Sequence, residues 1–184
     1  MTYHTGNQLI DPHQLFDKAH LRAGMHVADL GCGRTGHVVF PASVVVGEHG
    51  ILYAVDILKD ALEAVKKRAR LENLLNVHTV WADLERVGKT AIPSQSIDVA
   101  FLINMLAKVR DRHSVLEETK RLLKEKARCV IVDWMRSDLP FAPREQHLVD
   151  FSEIKEWGRS HGFAVQEEFT AGKFHKGIVF FKQA

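Results

Sequence analysis

Val27-Ala-Asp-Leu-Gly-Cys-Gly-Arg-Thr-Gly36 is the stretch on which the fold turns. An apolar run breaks into glycines at Gly31, Gly33 and Gly36, then passes directly into an amphipathic segment, Val38 to Val46. That order reads as a strand, a tight turn and a helix. Glycine allows positive φ and lets backbone N–H groups come close to a ligand, while a helix start adds unpaired donors and partial positive charge. A nucleotide-like guest suits such a loop.

Outward from the loop, strand and helix alternate. On the N-terminal side Met25 to Leu30 is the strand itself. Before it Asp11-Pro12 starts a helix that puts Leu15, Phe16 and Ala19 on one face and closes at Gly24, while Met1 to Ile10 show no period. On the C-terminal side Ile51 to Val55 is a continuous apolar run ending at Asp56, as expected of a strand buried on both faces. A helix from near Asp60 to about Asn73 turns Leu62, Val65 and Ala69 inward and its basic residues outward. Asn76 to Trp81 and Ile97 to Ile103 are the third and fourth strands, separated by an irregular segment from Leu84 to Ser96. A helix capped by Asp111 or Ser114, the latter with Glu117 at capping-box spacing, precedes a fifth strand, Arg128 to Trp134. After a proline-bearing loop, Ser137 to His147, a helix capped by Ser152 carries Ile154, Trp157 and His161 and ends at Gly162. Phe163 to Phe169 and Phe174 to Lys182 alternate around Gly172 as an antiparallel pair. The sum is an α/β fold: a Rossmann-like, doubly wound sheet of seven strands, mostly parallel, with helices on both faces.

In such sheets ligands sit beyond the carboxyl ends of the strands, where strand order reverses. The residues to read chemically are therefore Asp29, Asp56, Asp83, Asn104 and Asp133-Trp134. A carboxylate at Asp56 can accept both hydroxyls of a ribose, and one at Asp83 an adenine amino group. An acid at Asp29 is awkward beside a pyrophosphate but apt beside a ligand bearing an ammonium and a sulfonium.

Val27-Ala-Asp-Leu-Gly-Cys-Gly with Tyr53-Ala-Val-Asp56, Trp81-Ala-Asp83 and Ile97-Asp-Val-Ala-Phe-Leu-Ile-Asn104 resembles the class I S-adenosylmethionine-dependent methyltransferases. The resemblance runs from about Asp11 to the C-terminus and is greatest to the ubiquinone/menaquinone-methylase-like, small-molecule branch. It implies S-adenosyl-L-methionine as cofactor and S-adenosyl-L-homocysteine as product. Gly31, Cys32 and Gly33 would pack on the methionine portion, and Asp29 would reach its amino group. Asp56 would hold the ribose, and Ile57 would lie against the adenine. Asp83, with Ala82 and Leu84 beside it, would meet the adenine amine, and Asn104 would line the methionine side near the methyl. Two departures stand out. Lys124-Glu-Lys-Ala127 replaces a Pro-Gly-Gly type turn before the fifth strand, and Ala107 stands where many relatives carry a nearby histidine. Asp133, Trp134 and His175 are candidates for the acceptor pocket, and no catalytic residue is assigned.

The rest of the composition narrows the partners. With 184 residues and 46% hydrophobic content the chain is expected to be one domain, residues 1–184, with residues 1–24 contributing to the site. A net charge of +2 is too mild to call for nucleic acid or a membrane, and the basic runs at Lys66 to Arg70 and Lys120 to Arg128 read as solvated helix faces. Cys32 and Cys129 make no disulfide framework, and the eleven histidines show no metal-binding spacing, so no metal is expected. Neither a leader nor a membrane-length apolar run is apparent, which points to a cytoplasmic protein. The expected partner is a small-molecule methyl acceptor, and a homo-oligomer stays open. Three rival readings remain: a cofactor or nucleoside-binding module without turnover, an NAD-dependent dehydrogenase, and an RNA methyltransferase. Asp29 and the lack of a Tyr-x-x-x-Lys pair oppose the second. The absence of an Asn/Asp-Pro-Pro-Tyr/Phe motif after the fourth strand opposes amino-group methylation of nucleic acid.

Overall fold

The computed structural model describes residues 6–184. The strands are β1 (His26–Leu30), β2 (Ile51–Asp56), β3 (Val77–Trp81), β4 (Ile97–Ile103), β5 (Leu123–Trp134), β6 (Phe163–Ala171) and β7 (His175–Lys182). They form one seven-stranded sheet in the order β3-β2-β1-β4-β5-β7-β6. The pairings among β1 to β5 are parallel, and β7 runs antiparallel between β5 and β6. Strand order reverses between β1 and β4, which opens a crevice at the carboxyl ends of those strands.

Helices cover both faces, which is why the central strands are mostly apolar on both sides. Along β4, Ala100 and Leu102 join one buried cluster while Val99, Phe101 and Ile103 join the other, following the two-residue period of a strand. The first cluster packs under α4 (Arg112–Leu122) and α5 (Phe151–Ser160) through Leu116, Leu122 and Ile154. The second packs under α1 (Pro12–Ala19), α2 (Val39–Val46) and α3 (Lys59–Leu71) through Phe16, Val39 and Val65. No helix among the described residues is long and apolar enough to cross a membrane.

Several local expectations change. α1 ends at Ala19, with His20 in the left-handed region, so Gly24 belongs to the turn before β1. α2 is buried on most sides instead of amphipathic, because α1 packs over it. β5 begins directly after α4, five residues earlier than expected. Leu123 already pairs with Ile97 and is fully buried, and the register then jumps to Val99–Arg128, so the Lys124 to Ala127 segment, with Lys126 at φ 60°, is a bulge inside the longer strand at the place where a turn was expected.

Helix caps also shift. Asp111 takes the N-cap of α4 and accepts from the Ser114 N–H (3.0 Å) and hydroxyl (2.6 Å), so the Ser114–Glu117 capping box does not form. Asp150, not Ser152, caps α5, accepting from the Ser152 N–H at 2.7 Å. Asp150→Ala is therefore expected to lower stability by about 1 kcal/mol in urea denaturation, and Ser152→Ala by less than about 0.5.

The irregular segment between β3 and β4 is organised by a buried ion pair that the sequence did not announce. Glu118 on α4 is fully buried and accepts from the N–H groups of Gly88 (2.6 Å) and Thr90 (3.1 Å). Arg121 grips it with two bonds, at 2.8 and 2.7 Å, and also donates to the carbonyls of Thr90 and Ile92. Burial raises the Glu118 pKa, but these donors outweigh it and hold the carboxyl at about 2.

Candidate cofactor and acceptor site

The glycine loop is stapled to the end of β2. The Gly31 and Cys32 N–H groups both donate to the Val55 carbonyl (2.8 and 3.0 Å), and the Gly33 N–H donates to Asp56 Oδ2 (2.8 Å). Asp56 Oδ1 accepts from the Leu58 N–H at 2.9 Å, so the carboxylate is fixed from both sides while keeping unshared lone pairs. Gly31 sits at φ 85°, and a Cβ there would lie 2.7 Å from Met105 Cγ. The loop thus packs against the segment after β4 with no room for a side chain. At Gly33 a Cβ would meet nothing within 4 Å, so this backbone faces open space.

Asp29, near the end of β1, is 2% exposed and makes no hydrogen bond among the described residues. Burial, with the neighbouring Asp56 charge, pushes its carboxyl up to about 8. A buried acid without a donor is costly unless something cationic is to be placed beside it. Cys32, by contrast, is a buried filler: burial first, then Asp29 and Asp56, push its thiol pKa up and make it a poor nucleophile.

On the far side of Asp56, Ile57 is 53% exposed, and its carbonyl accepts from the Trp81 indole N–H at 2.8 Å. An exposed aliphatic side chain beside an aromatic ring suits a flat base. Asp83 Oδ1 accepts from the Glu85 N–H at 3.1 Å. Ala82 and Leu84 are buried core residues, and the Ala82 N–H donates to the Asp56 carbonyl. The structure therefore brings Asp29, Gly31, Cys32, Gly33, Asp56, Ile57, Ala82 and Asp83 to the ends of three adjacent strands.

Asn104 follows β4 at φ 53°, with its N–H on the Val132 carbonyl and its side-chain amide donating to Asn7 Oδ1 at 2.8 Å. Gly6, next to Asn7, lies flat on Trp134, where a Cβ would meet the indole at 2.1 Å. Residues Gly6 and Asn7 thus cover the carboxyl ends of β4 and β5, beside the crevice. Beneath this cover lie all three acceptor-pocket candidates. Asp133 is fully buried, with Oδ1 on the Trp134 N–H and Oδ2 on the Ala107 N–H, and burial raises its pKa to about 6. Trp134 and His175 pack at 4.3 Å between ring centroids and are 2% and 0% exposed. Neither His175 nitrogen has a hydrogen-bond partner of normal geometry among the described residues, and burial, only partly offset by the nearby Ala171 backbone, lowers its pKa to about 4. His175 is a neutral core histidine here. All three are buried, with 0% to 2% of their surface exposed.

The open space lies next door. A cleft of about 730 Å³ is lined by Ala107, Lys108, Val109, Arg110, Asp111, Arg112 and His147. Arg112 is committed to the carbonyls of Leu106, His147 and Leu148, and Asp111 to the cap of α4. The Lys108 and Arg110 side chains are exposed and make no hydrogen bond or ion pair among the described residues. Lys108 is exposed, yet enough protein crowds its amine to lower its pKa, with Asp133 and Asp56 acting in the opposite direction. Sequence reading passed over Lys108; its signal was its place four residues beyond the Asn104 strand end.

A family profile described as a methyltransferase domain matches residues 21–176. The ubiquinone biosynthesis O-methyltransferase of Haemophilus ducreyi is 34% identical over 109 residues, 58% of this chain and 44% of that protein. The nocamycin O-methyltransferase of Saccharothrix syringae is 32% identical over 126 residues, 67% of this chain and again 44% of the relative. The chain therefore spans less than half the length of these curated relatives. Among solved structures, a SAM-dependent methyltransferase from Aquifex aeolicus superposes with a TM-score of 0.83 at 24% identity, covering 95% of this chain and 90% of that one.

Proposed function

Because the chain belongs to the methyltransferase domain family, the class I S-adenosylmethionine-dependent enzymes, we propose that it transfers a methyl group to a hydroxyl of a small molecule. The observation that carries this reading is Asp29: a buried carboxylate without a donor, beside Asp56 and a glycine loop whose backbone faces open space. S-adenosylmethionine supplies the methyl group and the cationic ammonium that Asp29 lacks. Asp56 and Asp83 would hold the ribose and the adenine amine, Ile57 would lie on the base, and Asn104 would close the methionine end.

The choice of oxygen as acceptor atom is suggested by the two curated relatives, both named as O-methyltransferases. The methyl would pass in line from sulfur to oxygen, leaving a neutral thioether and releasing the hydroxyl proton. Alignment and exclusion of water can account for roughly 7 to 11 kcal/mol of such a barrier. Lys108, in the cleft beside the β4 end, would stabilise the developing alkoxide or phenolate. The ammonium is exposed in the free protein, so its effect depends on the acceptor covering it.

The test is transfer of labelled methyl to a panel of hydroxylated aromatic and aliphatic acceptors. Lys108→Met is expected to lower kcat/KM by about 10-fold or more while leaving S-adenosylhomocysteine affinity unchanged. Cofactor binding with no transfer to any acceptor would favour a binding module without turnover.

A further inference from the structure

His113, Glu117 and His161 lie on two different helices yet converge. His113 and Glu117 stand one turn apart on α4, and His161 is the C-cap residue of α5. Glu117 Oε1 is 3.0 Å from His161 Nε2 and 3.9 Å from His113 Nε2, and the three ligand-type atoms all fall within 4.8 Å of one another. The histidines are thus not all scattered, as their spacing in the chain suggested.

The hydrogen bonding around His161 is specific. Its Nδ1 lies 2.7 Å from the Trp157 carbonyl, which can only accept, and 3.0 Å from the Ser160 hydroxyl, which can accept or donate, so the shorter carbonyl contact assigns the proton to Nδ1. In the neutral ring Nε2 is then a lone pair, and it faces a carboxylate oxygen at 3.0 Å. Two lone pairs at that distance repel unless a cation stands between them. Either a second proton or a metal ion meets that need, and a third ligand atom, His113 Nε2, lies near the same place.

The surroundings fit a metal. A ring nitrogen bonded to a backbone carbonyl is the usual support for a metal-ligating histidine, because it sets the tautomer and the ring plane. Trp157 fixes both partners: its ring stacks on His161 (4.7 Å, 13°) and its N–H donates to Glu117 at 3.2 Å. Donor atoms of a tetrahedral zinc site lie roughly 3.3 Å apart, close to the 3.0 Å between His161 and Glu117 and shorter than the 3.9 Å between His113 and Glu117. The wider gaps involve His113, whose side chain is 65% exposed and whose ring meets His161 edge-on at 5.7 Å, so a small rotation would bring its Nε2 inward.

We propose that His113, Glu117 and His161 form a transition-metal site of the zinc class that clips the start of α4 to the end of α5. Two imidazoles and one carboxylate favour zinc, cobalt, nickel or copper over magnesium or calcium, and leave one position for water. His113 adjoins Arg112, which holds the cleft wall at His147 and Leu148. Occupancy would therefore tighten the rim of the cleft.

The test uses the full, untagged chain after chelator treatment. Zinc titration by calorimetry is expected to give one site at micromolar affinity or tighter. His113→Ala and His161→Ala should each weaken it at least tenfold, with circular dichroism unchanged. Cobalt should give visible absorption bands of a low-coordinate ion that fade in both variants, and melting should shift upward with zinc only when all three residues are present. Zinc binding of equal affinity in the double variant would overturn the proposal, as would absence of binding below about 100 μM, leaving a protonated His161–Glu117 pair instead.

Discussion

Asp29→Asn is expected to weaken S-adenosylmethionine binding by two orders of magnitude or more, while making the ligand-free protein more stable at pH 7.5. Truncating one partner of a buried charge pair costs about 2–5 kcal/mol, and the amide keeps the shape while removing the charge. Stability moves the other way. The folded carboxyl titrates near 8 against 3.8 for the ordinary group, so the free protein must hold a proton that the unfolded chain releases. This cost is absent below about pH 4 and grows as pH rises toward 8. Asparagine removes it, giving roughly 2 kcal/mol or more at pH 7.5 and a Tm higher by about 4–8 °C. Cofactor binding to wild type should release a proton below pH 8, so affinity should rise with pH from 6 and level off near 8, where an α-amino group loses its charge. Calorimetry in buffers of different ionisation enthalpy measures that release. Methylthioadenosine, which lacks the amino acid, separates the two acids: Asp56→Ala should weaken it and Asp29→Asn should not. Equal S-adenosylmethionine affinity for wild type and Asp29→Asn would sink the assignment of Asp29 to the ammonium.

Glu118→Gln should be the most destabilising of the substitutions considered, by about 3 kcal/mol or 6–12 °C in Tm. It leaves Arg121 without its charged partner and withdraws acceptor strength from the Gly88 and Thr90 N–H groups. The sign with pH follows from the depressed folded value. A carboxyl held at about 2, against 4.5 ordinarily, contributes stability that is complete above about pH 4.5 and is lost as pH falls toward 2. The difference between wild type and variant in urea denaturation should thus shrink steadily from pH 5 to pH 2. Similar stabilities at pH 7 would mean that the segment between β3 and β4 is held by other contacts.

The elements around the glycine loop were readable because their information is local. Continuous apolar runs at Ile51 to Val55 and Val99 to Ile103 read as strands buried on both faces, and positive-φ glycines mark the turn itself. Acids at Asp29, Asp56 and Asp83 fall at or just beyond strand ends by simple counting, so their placement at one end of the sheet was legible before any contact was known. Caps were less legible. Asp150 and Ser152 are both good caps two residues apart, and only the backbone path selects between them. The Leu123 strand start was hidden because charged Lys124, Glu125 and Lys126 interrupt the apolar pattern while Leu123 pairs with Ile97.

The acceptor side depended on distance in sequence. Asp133, Trp134 and His175 were sound choices by strand position, yet Gly6 and Asn7 come back over β4 and β5 and the three side chains are buried. Nothing local to residue 133 encodes that return. By itself, then, the sequence determined the α/β class, the glycine loop and the strand-end acids, because periodicity and backbone freedom act over a few residues. Tertiary structure alone decided which acid stays without a donor, where the open cleft lies, that Glu118 meets Arg121 and two loop amides, and that His113, Glu117 and His161 meet. Those outcomes depend on burial and pairing between segments far apart in the chain, and both exist only once the sheet has closed over its two cores.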